Sequence, residues 1–170
     1  MILDSGNRRE FESGAVRDIQ EGKGRCDLLP LVEVGSFLSA EPISRIGDFV
    51  ETGKLFYLHN AVDAFVAEAF ENKCQAMMEL SIHYEEGCKK YGERNWQKGI
   101  PLHCFIDSGV RHYLKYKQGI TDERHDRAFL WNMFGAIWTF NHKPEMIDLP
   151  FNETKAEPDY DKAEALKYTE

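Results

Sequence analysis

The sequence predicts an all-α fold, and three observations lead to this prediction. Apolar residues recur at helical spacing, glycines and prolines stand where helices would end or begin, and little of the chain alternates as strands do. With 170 residues, 42% of them hydrophobic and 12% aromatic, the chain can build one domain with a real core. We expect a bundle of three main helices, preceded by short helices and an irregular N-terminal arm.

The first 30 residues are rich in Gly, Arg and Asp, and they predict the irregular arm, which carries the stretches "GAVRD" and "GKGR". Two short helices should follow in "LLPLVEVGSFLS" and "PISRIGDFVETG", with Pro42 in a first turn and Gly53 as a stop. We place the helical domain at residues 31–145 and a polar C-terminal tail at residues 146–170.

The three main helices follow from periodicity and from their terminators. The first should run from Leu58 to Tyr91, the second should begin at Pro101, and the third should be capped by Thr121 and end near Pro144. The first helix carries an apolar stripe at helical spacing, formed by Val62, Val66, Phe70, Met77, Leu80, Tyr84 and Tyr91.

The charge balance excludes some partners and leaves others open. There are 29 acidic and 21 basic residues, which argues against a nucleic-acid polymer or an anionic membrane as the main partner. A single nucleotide is still compatible, since a metal ion can bring a polyphosphate into an acidic pocket. We expect a cytoplasmic protein, because no apolar run approaches a membrane span and the first residues lack the apolar core of a secretion signal. The four cysteines are widely spaced, which predicts free thiols.

A polar ribbon on the first main helix has two interpretations. At about 100° per residue, Glu79, His83, Glu86 and Lys90 share one narrow face. The ribbon is either the solvated stripe of a surface helix or a carboxylate-lined site between helices that holds a cation. The sequence alone leaves both open.

The second and third helices add further candidates. Asp107, Arg111 and Lys115 lie four residues apart, which is ordinary ion-pair spacing, although Arg111 can equally bind a phosphate. On the third helix, some polar residues fall on or beside the apolar face, where buried charges need partners. They are Asp122, His125, Asp126 and Asn132, whereas Glu123 should point further round.

Basic residues cluster where the first helix ends, at Lys90, Arg94 and Lys98, and such side chains neutralise phosphate oxygens. Trp96, in the same turn, either stacks on a base or wedges the turn closed. The "GKGR" stretch, with Lys23 and Arg25, can fold over phosphates, although it lacks the spacing of a Walker loop.

Taken as a set, four stretches resemble the phage and bacterial dATP/dGTP diphosphohydrolase family, which is related to the MazG-type all-α nucleotide pyrophosphohydrolases. They are "GAVRD…GKGRCDLLP", "EEGCKKYGERNWQKGIP", "DSGVRHYL" and "HDRAFLWN", within residues 8–30 and 79–138. The resemblance implies a MazG-like helical bundle whose domain at residues 31–145 is catalytic. It also implies cleavage of a deoxynucleoside triphosphate, dGTP or dATP, to the monophosphate and pyrophosphate.

The resemblance further implies metal ligands in E-x-x-E and E-x-x-D patterns. "ERHD" supplies Glu123 and Asp126, although the helical wheel favours Asp122 over Glu123. The first pattern is broken, because His83 stands three residues before Glu86. His83 would therefore orient Glu86 or indicate Mn²⁺ in place of Mg²⁺. The predicted metal ligands are Glu79, Glu86, Asp122, Glu123 and Asp126, and the predicted catalytic residues are Glu86, Asp126 and His83.

The other predicted roles concern the nucleotide and the assembly. Phosphates should be bound by Lys23, Arg25, Lys90, Arg94, Lys98 and Arg111, and the base by Trp96, Trp131 and Asn132. MazG-type proteins commonly form dimers or tetramers, which implies a homo-oligomer here. If the chain is phage-encoded, it should act in the host cytoplasm.

Two other functions fit some of the same residues. The pair His125–Asp126, with His83 and His112 upstream, is compatible with an HD-type metal phosphohydrolase, which uses His as a metal ligand and can release triphosphate. Alternatively, the broken first pattern indicates a non-catalytic protein that sequesters nucleotides.

Overall fold

Helix-forming segments dominate the computed structural model, which describes residues 6–151. In this range the chain forms six helices, a two-stranded sheet and three short 3-10 turns, so the predicted all-α bundle is confirmed. The helices are α1 (Leu31–Leu38), α2 (Glu41–Thr52), α3 (Phe56–Ala69), α4 (Lys73–Tyr91), α5 (Leu102–Lys117) and α6 (His125–His142). The strands are β1 (Arg8–Glu10) and β2 (Val16–Asp18), and the 3-10 turns are Cys26–Leu28, Asn95–Lys98 and Pro144–Met146.

The two short N-terminal helices form where the sequence predicts them. Pro42 lies in the first turn of α2, where its missing N–H costs nothing. Gly53 ends α2 in the left-handed conformation, with φ of 70°, and its N–H donates to the carbonyl of Phe49. Most of the predicted tail at 146–170 lies outside the described residues.

The single long helix predicted from Leu58 to Tyr91 is wrong, because the chain breaks between α3 and α4. Phe70 is extended, with φ of −134° and ψ of 157°. The side chain of Asn72 then caps α4 by accepting a hydrogen bond from the N–H of Gln75 at 2.9 Å. The apolar stripe continues in phase across the break, so periodicity alone did not reveal it.

The predicted start of the third main helix is also wrong. Helix α6 begins at His125 and not after a cap at Thr121. Asp122 and Glu123 therefore lie in the preceding loop, and the N–H of His125 donates to the carbonyl of Glu123 at 3.0 Å. Because these two acids are not helical, their positions on a helical wheel carry no information.

The arm is not irregular throughout, because part of it forms an antiparallel hairpin. Arg8 pairs with Asp18, Arg9 with Arg17, and Glu10 with Val16. Strands of three residues are too short for an alternating pattern to be recognised in the sequence. The hairpin folds back over α4 and α5, which makes it a wall of the cavity described below.

Helices α5 and α6 make the most extensive helix contact and carry three large buried aromatics. Phe105, Tyr113 and Phe129 are almost fully buried there. A Cβ atom at Gly135 would lie 2.4 Å from Cε1 of the Phe105 ring, so a glycine is needed for this close approach. In the described part of the chain, no helix is long and apolar enough to span a membrane.

We predict that Gly135→Ala lowers the free energy of unfolding by about 1–3 kcal/mol relative to Gly109→Ala. Both changes gain the helix propensity of alanine, about 1 kcal/mol. At Gly109, however, the new Cβ meets only the flexible end of Met133 and the Cβ of Asn132, whereas at Gly135 it meets the Phe105 ring. Urea denaturation of both variants measures the difference, and equal stabilities would contradict this packing.

Candidate functional site

A cavity of about 450 Å³ lies between the hairpin, α4, α5 and the chain that leads into α6. This volume is in the range of small-molecule sites. The charged and imidazole side chains that line it are Arg9, Arg17, Asp18, Lys23, His83, Asp107, Arg111, His112, Lys115 and Glu123. The lining therefore combines acids, imidazoles and a larger number of cations.

Asn95 fixes the hairpin to the bundle. Its side chain is buried and forms two hydrogen bonds with the backbone of Val16: Oδ1 accepts from the N–H at 2.9 Å and Nδ2 donates to the carbonyl at 2.8 Å. Asp18, two residues further on, accepts hydrogen bonds from Lys90 Nζ at 3.0 Å and from the Tyr91 hydroxyl at 2.9 Å. These contacts hold β2 against the end of α4.

Asp107 fixes the rest of the N-terminal segment. Its buried carboxylate accepts hydrogen bonds from the N–H of Cys26 at 2.7 Å, from Gln20 Nε2 at 2.9 Å and from Arg111. Arg111 also donates to the carbonyl oxygens of Lys23 and Gly24, at 3.2 and 2.9 Å. Arg111 lines the cavity, but its Nε and Nη2 anchor the arm.

One group of side chains at the edge of the cavity has the geometry of a metal site; His112 and Glu123 line the cavity, whereas the buried His125 is outside its lining. His112 Nδ1 and His125 Nδ1 are 2.9 Å apart, and Glu123 Oε1 lies 3.5 and 3.6 Å from them. Between residues 6 and 151, this is the one group of at least three His, Cys, Asp or Glu side chains with ligand atoms close enough to share an ion. Nitrogens about 2.1 Å from a common ion and at right angles to each other are about 3.0 Å apart, so the spacing fits.

The surroundings of the two histidines also fit a metal. Asp122 Oδ1 lies 2.6 Å from Nε2 of His125, and this carboxylate favours a proton on Nε2, which leaves the lone pair of Nδ1 facing the group. Burial and the neighbouring His125 lower the pKa of His112 well below its usual 6.5, so its imidazole is neutral at pH 7. Two imidazoles and a carboxylate are a donor set for a divalent transition metal.

Other acids that the sequence predicts as metal ligands lie outside the cavity lining. Glu79 is paired with Arg127, at 2.7 Å from its Nε, and with Arg124 at 3.1 Å. Asp126 accepts two hydrogen bonds from Arg124, at 3.0 and 2.7 Å, which lower its pKa although burial opposes the shift. Glu86 is half-buried and also lies outside the lining. The metal and catalytic roles of these three residues stay predictions.

The predicted phosphate-binding residues are dispersed. Lys23 and Arg111 line the cavity, whereas Arg25 is held by Asp27 through hydrogen bonds of 2.7 and 2.6 Å. Arg94 is exposed and lines a neighbouring cavity. The remaining two are Lys90, bound to Asp18, and Lys98, which is exposed and lines neither cavity.

Trp131 separates the cavity from a neighbouring one of about 570 Å³, which has aromatic walls. Trp96 lines this second cavity and packs edge-to-face on Trp138, with ring centroids 5.0 Å apart. Asn132 is buried; its Oδ1 accepts from Arg17 Nη2 at 3.0 Å and its Nδ2 donates to the carbonyl of Ala128 at 2.8 Å. All three predicted base-binding residues line a cavity: Trp131 lines both, Asn132 the first and Trp96 the second, and their contact with a base stays a prediction.

The sequence analysis did not identify several residues that the structure brings to the cavity. Arg9 and Arg17 lie in the predicted irregular arm, and Lys115 was assigned only an ion-pair spacing. His112 and His125 were considered as metal ligands only for the HD-type alternative. The "RH" and "ERHD" stretches carried this signal, but nothing in their spacing showed that the two histidines meet.

His83 generates a prediction for the pH dependence of stability. Burial lowers its pKa to about 4, so between pH 6.5 and 4 the unfolded chain binds a proton that the folded chain does not. This histidine should therefore lower the free energy of unfolding by about 2 kcal/mol between pH 7 and 5. His83→Gln should remove that part of the pH dependence, and exposed His59→Gln should not. Urea titrations of the three proteins at both pH values test this. If the unfolding free energy of His83→Gln fell between the two pH values as much as that of the unmodified protein, the prediction would be wrong.

Comparison with known proteins agrees with the resemblance found in the sequence. A family model described as "dATP/dGTP diphosphohydrolase, N-terminal" matches residues 62–149, more than half of the chain and most of the helical cavity wall. No curated protein and no solved structure matches. The family predicted from the sequence is thereby confirmed. The chain belongs to the dATP/dGTP diphosphohydrolase N-terminal family.

Proposed function

We propose that the protein hydrolyses a deoxynucleoside triphosphate, dGTP or dATP, to the monophosphate and pyrophosphate, and that it needs a divalent metal ion. The observation that carries this proposal is the lining of one cavity, which holds several cations together with His112 and Glu123, two members of the metal-compatible group. The family described as dATP/dGTP diphosphohydrolases supports the reaction and the choice of purine deoxynucleotides.

His112, Glu123 and His125 are the residues that would hold the ion, with Asp122 orienting His125. A divalent ion there would polarise a phosphoryl oxygen and lower the pKa of a bound water. The donor set contains two nitrogens, whereas Mg²⁺ prefers oxygen ligands. Of the two expected cofactors, Mg²⁺ and Mn²⁺, this donor set favours Mn²⁺.

The chain itself would bind the substrate from two sides. Lys23 and Lys115 carry positive charge at the cavity rim, where they neutralise phosphate oxygens. Trp131 offers a flat aromatic wall, and the second cavity beyond it has room and aromatic lining for a purine. A triphosphate in the first cavity would therefore place its base against Trp131.

Two observations bear on the alternatives. Convergence of His112 and His125 is what an HD-type phosphohydrolase would also need, and such an enzyme would release triphosphate. However, Asp126 of the His–Asp pair is held by Arg124 and lies outside the cavity lining. Product identity separates the two reactions, and tight nucleotide binding without turnover would indicate the sequestering protein.

We also propose that the protein is a homo-oligomer. Met77, Met78 and Ile82 on α4 are 39%, 69% and 40% exposed, an apolar surface that a second copy would cover.

The proposed reaction predicts the products of each nucleoside triphosphate. Incubation with all eight common ribo- and deoxyribonucleoside triphosphates, with Mn²⁺ and then Mg²⁺, should yield monophosphate and pyrophosphate fastest from dGTP or dATP with Mn²⁺. ³¹P NMR resolves these phosphate species. Free nucleoside with triphosphate would replace this proposal by the HD-type reaction.

Glu123→Gln should lower kcat by at least about 100-fold, because the amide loses the anionic oxygen that a metal ligand needs. Exposed Glu33→Gln on α1 is the matched control and should retain full activity. Parallel kinetics of Glu86→Gln and Asp126→Asn test the earlier assignment. Full activity in Glu123→Gln, together with loss of activity in Glu86→Gln or Asp126→Asn, would indicate that Glu86 or Asp126 binds the metal instead.

A further inference from the structure

Two arginines face each other directly across the hairpin. Arg9 of β1 and Arg17 of β2 are partners in the antiparallel register, so their side chains share one face of the hairpin. Both side chains line the cavity. Like charges in directly opposed positions repel, so this pair destabilises the hairpin unless something else compensates.

Neither guanidinium has a carboxylate partner among residues 6–151. Arg9 Nη2 donates to the thiol sulfur of Cys104 at 2.8 Å, and Arg17 Nη2 donates to Asn132. Arg9 Nε and Arg17 Nη1 are buried and have no hydrogen-bond acceptor within the described chain. By contrast, the nearby Arg25, Arg111 and Arg124 all bind carboxylates.

Aromatic rings hold the two cations in place without neutralising them. The guanidinium carbon of Arg17 lies 5.3 and 5.4 Å from the ring centroids of Phe105 and Trp131, and that of Arg9 lies 4.6 Å from the ring of Phe11. Such contacts position a guanidinium and recover part of its desolvation cost. Two half-buried charges and two buried, unused donors remain, and both point to an anionic ligand.

We propose that Arg9 and Arg17 form the subsite for the β- and γ-phosphates, the part of the substrate that leaves as pyrophosphate. This inference rests on the proposed function. Guanidinium groups match phosphate oxygens through paired N–H donors, and two of them suit the terminal phosphates, which carry more negative charge than the α-phosphate. The α-phosphate would then lie toward His112 and Glu123, which line the same cavity.

The test is calorimetric titration of the full-length protein with inorganic pyrophosphate and, separately, with dGMP, both in metal-free buffer. Arg9→Met and Arg17→Met should each weaken pyrophosphate binding by about 10- to 100-fold, since a hydrogen bond to a charged group contributes about 1.5–3 kcal/mol. Binding of dGMP should change by less than about twofold. Arg17→Lys should retain only part of the affinity for pyrophosphate, because lysine keeps the positive charge but lacks the paired N–H donors of a guanidinium.

Arg45→Met on α2 is the matched control, because this arginine binds Glu41 and Asp48 far from the cavity lining. It should bind pyrophosphate as the unmodified protein does. Thermal unfolding checks that each variant is folded. If Arg17→Met does not fold, Arg9→Met decides, since its one side-chain hydrogen bond in the described chain is to a thiol.

Several results would overturn the subsite: no pyrophosphate binding to the unmodified protein, unchanged binding in the folded Met variants, or equal loss of dGMP and pyrophosphate. The subsite and the reaction can fail separately. Pyrophosphate binding that needs both arginines, without any triphosphate hydrolysis, would support the subsite and contradict the proposed reaction. Hydrolysis with normal pyrophosphate binding in both variants would support the reaction and contradict the subsite.

Discussion

The cavity depends on one buried carboxylate, that of Asp107. It is 2% exposed and gathers the backbone N–H of Cys26, the side chain of Gln20 and the guanidinium of Arg111. A buried carboxylate is tolerated only when it is satisfied in this way. Because Cys26 and Gln20 belong to the N-terminal segment, and Arg111 also binds the carbonyl oxygens of that segment, the Asp107 carboxylate and the closed arm require each other. Asn95 makes the second attachment, and together they convert two helix faces into an enclosed site.

Charged side chains are paired differently inside and outside the cavity. Acids outside the cavity, such as Glu79 and Asp126, are neutralised by Arg124 and Arg127, while Arg9 and Arg17 inside it have no acidic partner in the described chain. A protein whose net charge is −8 thus maintains a cation-rich cavity. Glu123 and the imidazole of His112 in the same lining complement the cations, so the arrangement suits a metal ion and a polyphosphate bound together.

Much of the fold was predictable because helix terminators such as Gly53 and Gly92 act locally. The break at Phe70 and the start at His125 were not, since the apolar period continues across the first and Thr121 resembled a cap. The same error in α6 misplaced Glu123, which a helical wheel turned away from the site. The position of Arg17 in the cavity could not be predicted for another reason. Its contact with Asn132 spans 115 residues, and no local sequence pattern encodes such a contact. The motif resemblance predicted the family correctly, whereas periodicity mispredicted two helix boundaries. The resemblance uses several stretches that are distant in the sequence, and periodicity uses only neighbouring residues.

The most direct test of this account is anomalous diffraction from crystals grown with Mn²⁺ and α,β-methylene-dGTP, a substrate analogue that cannot be cut between its first two phosphates. The account predicts one manganese peak bounded by His112, Glu123 and His125, with the terminal phosphates against Arg9 and Arg17. Manganese bound instead by Glu86 or Asp126, or an analogue bound outside this cavity, would contradict it.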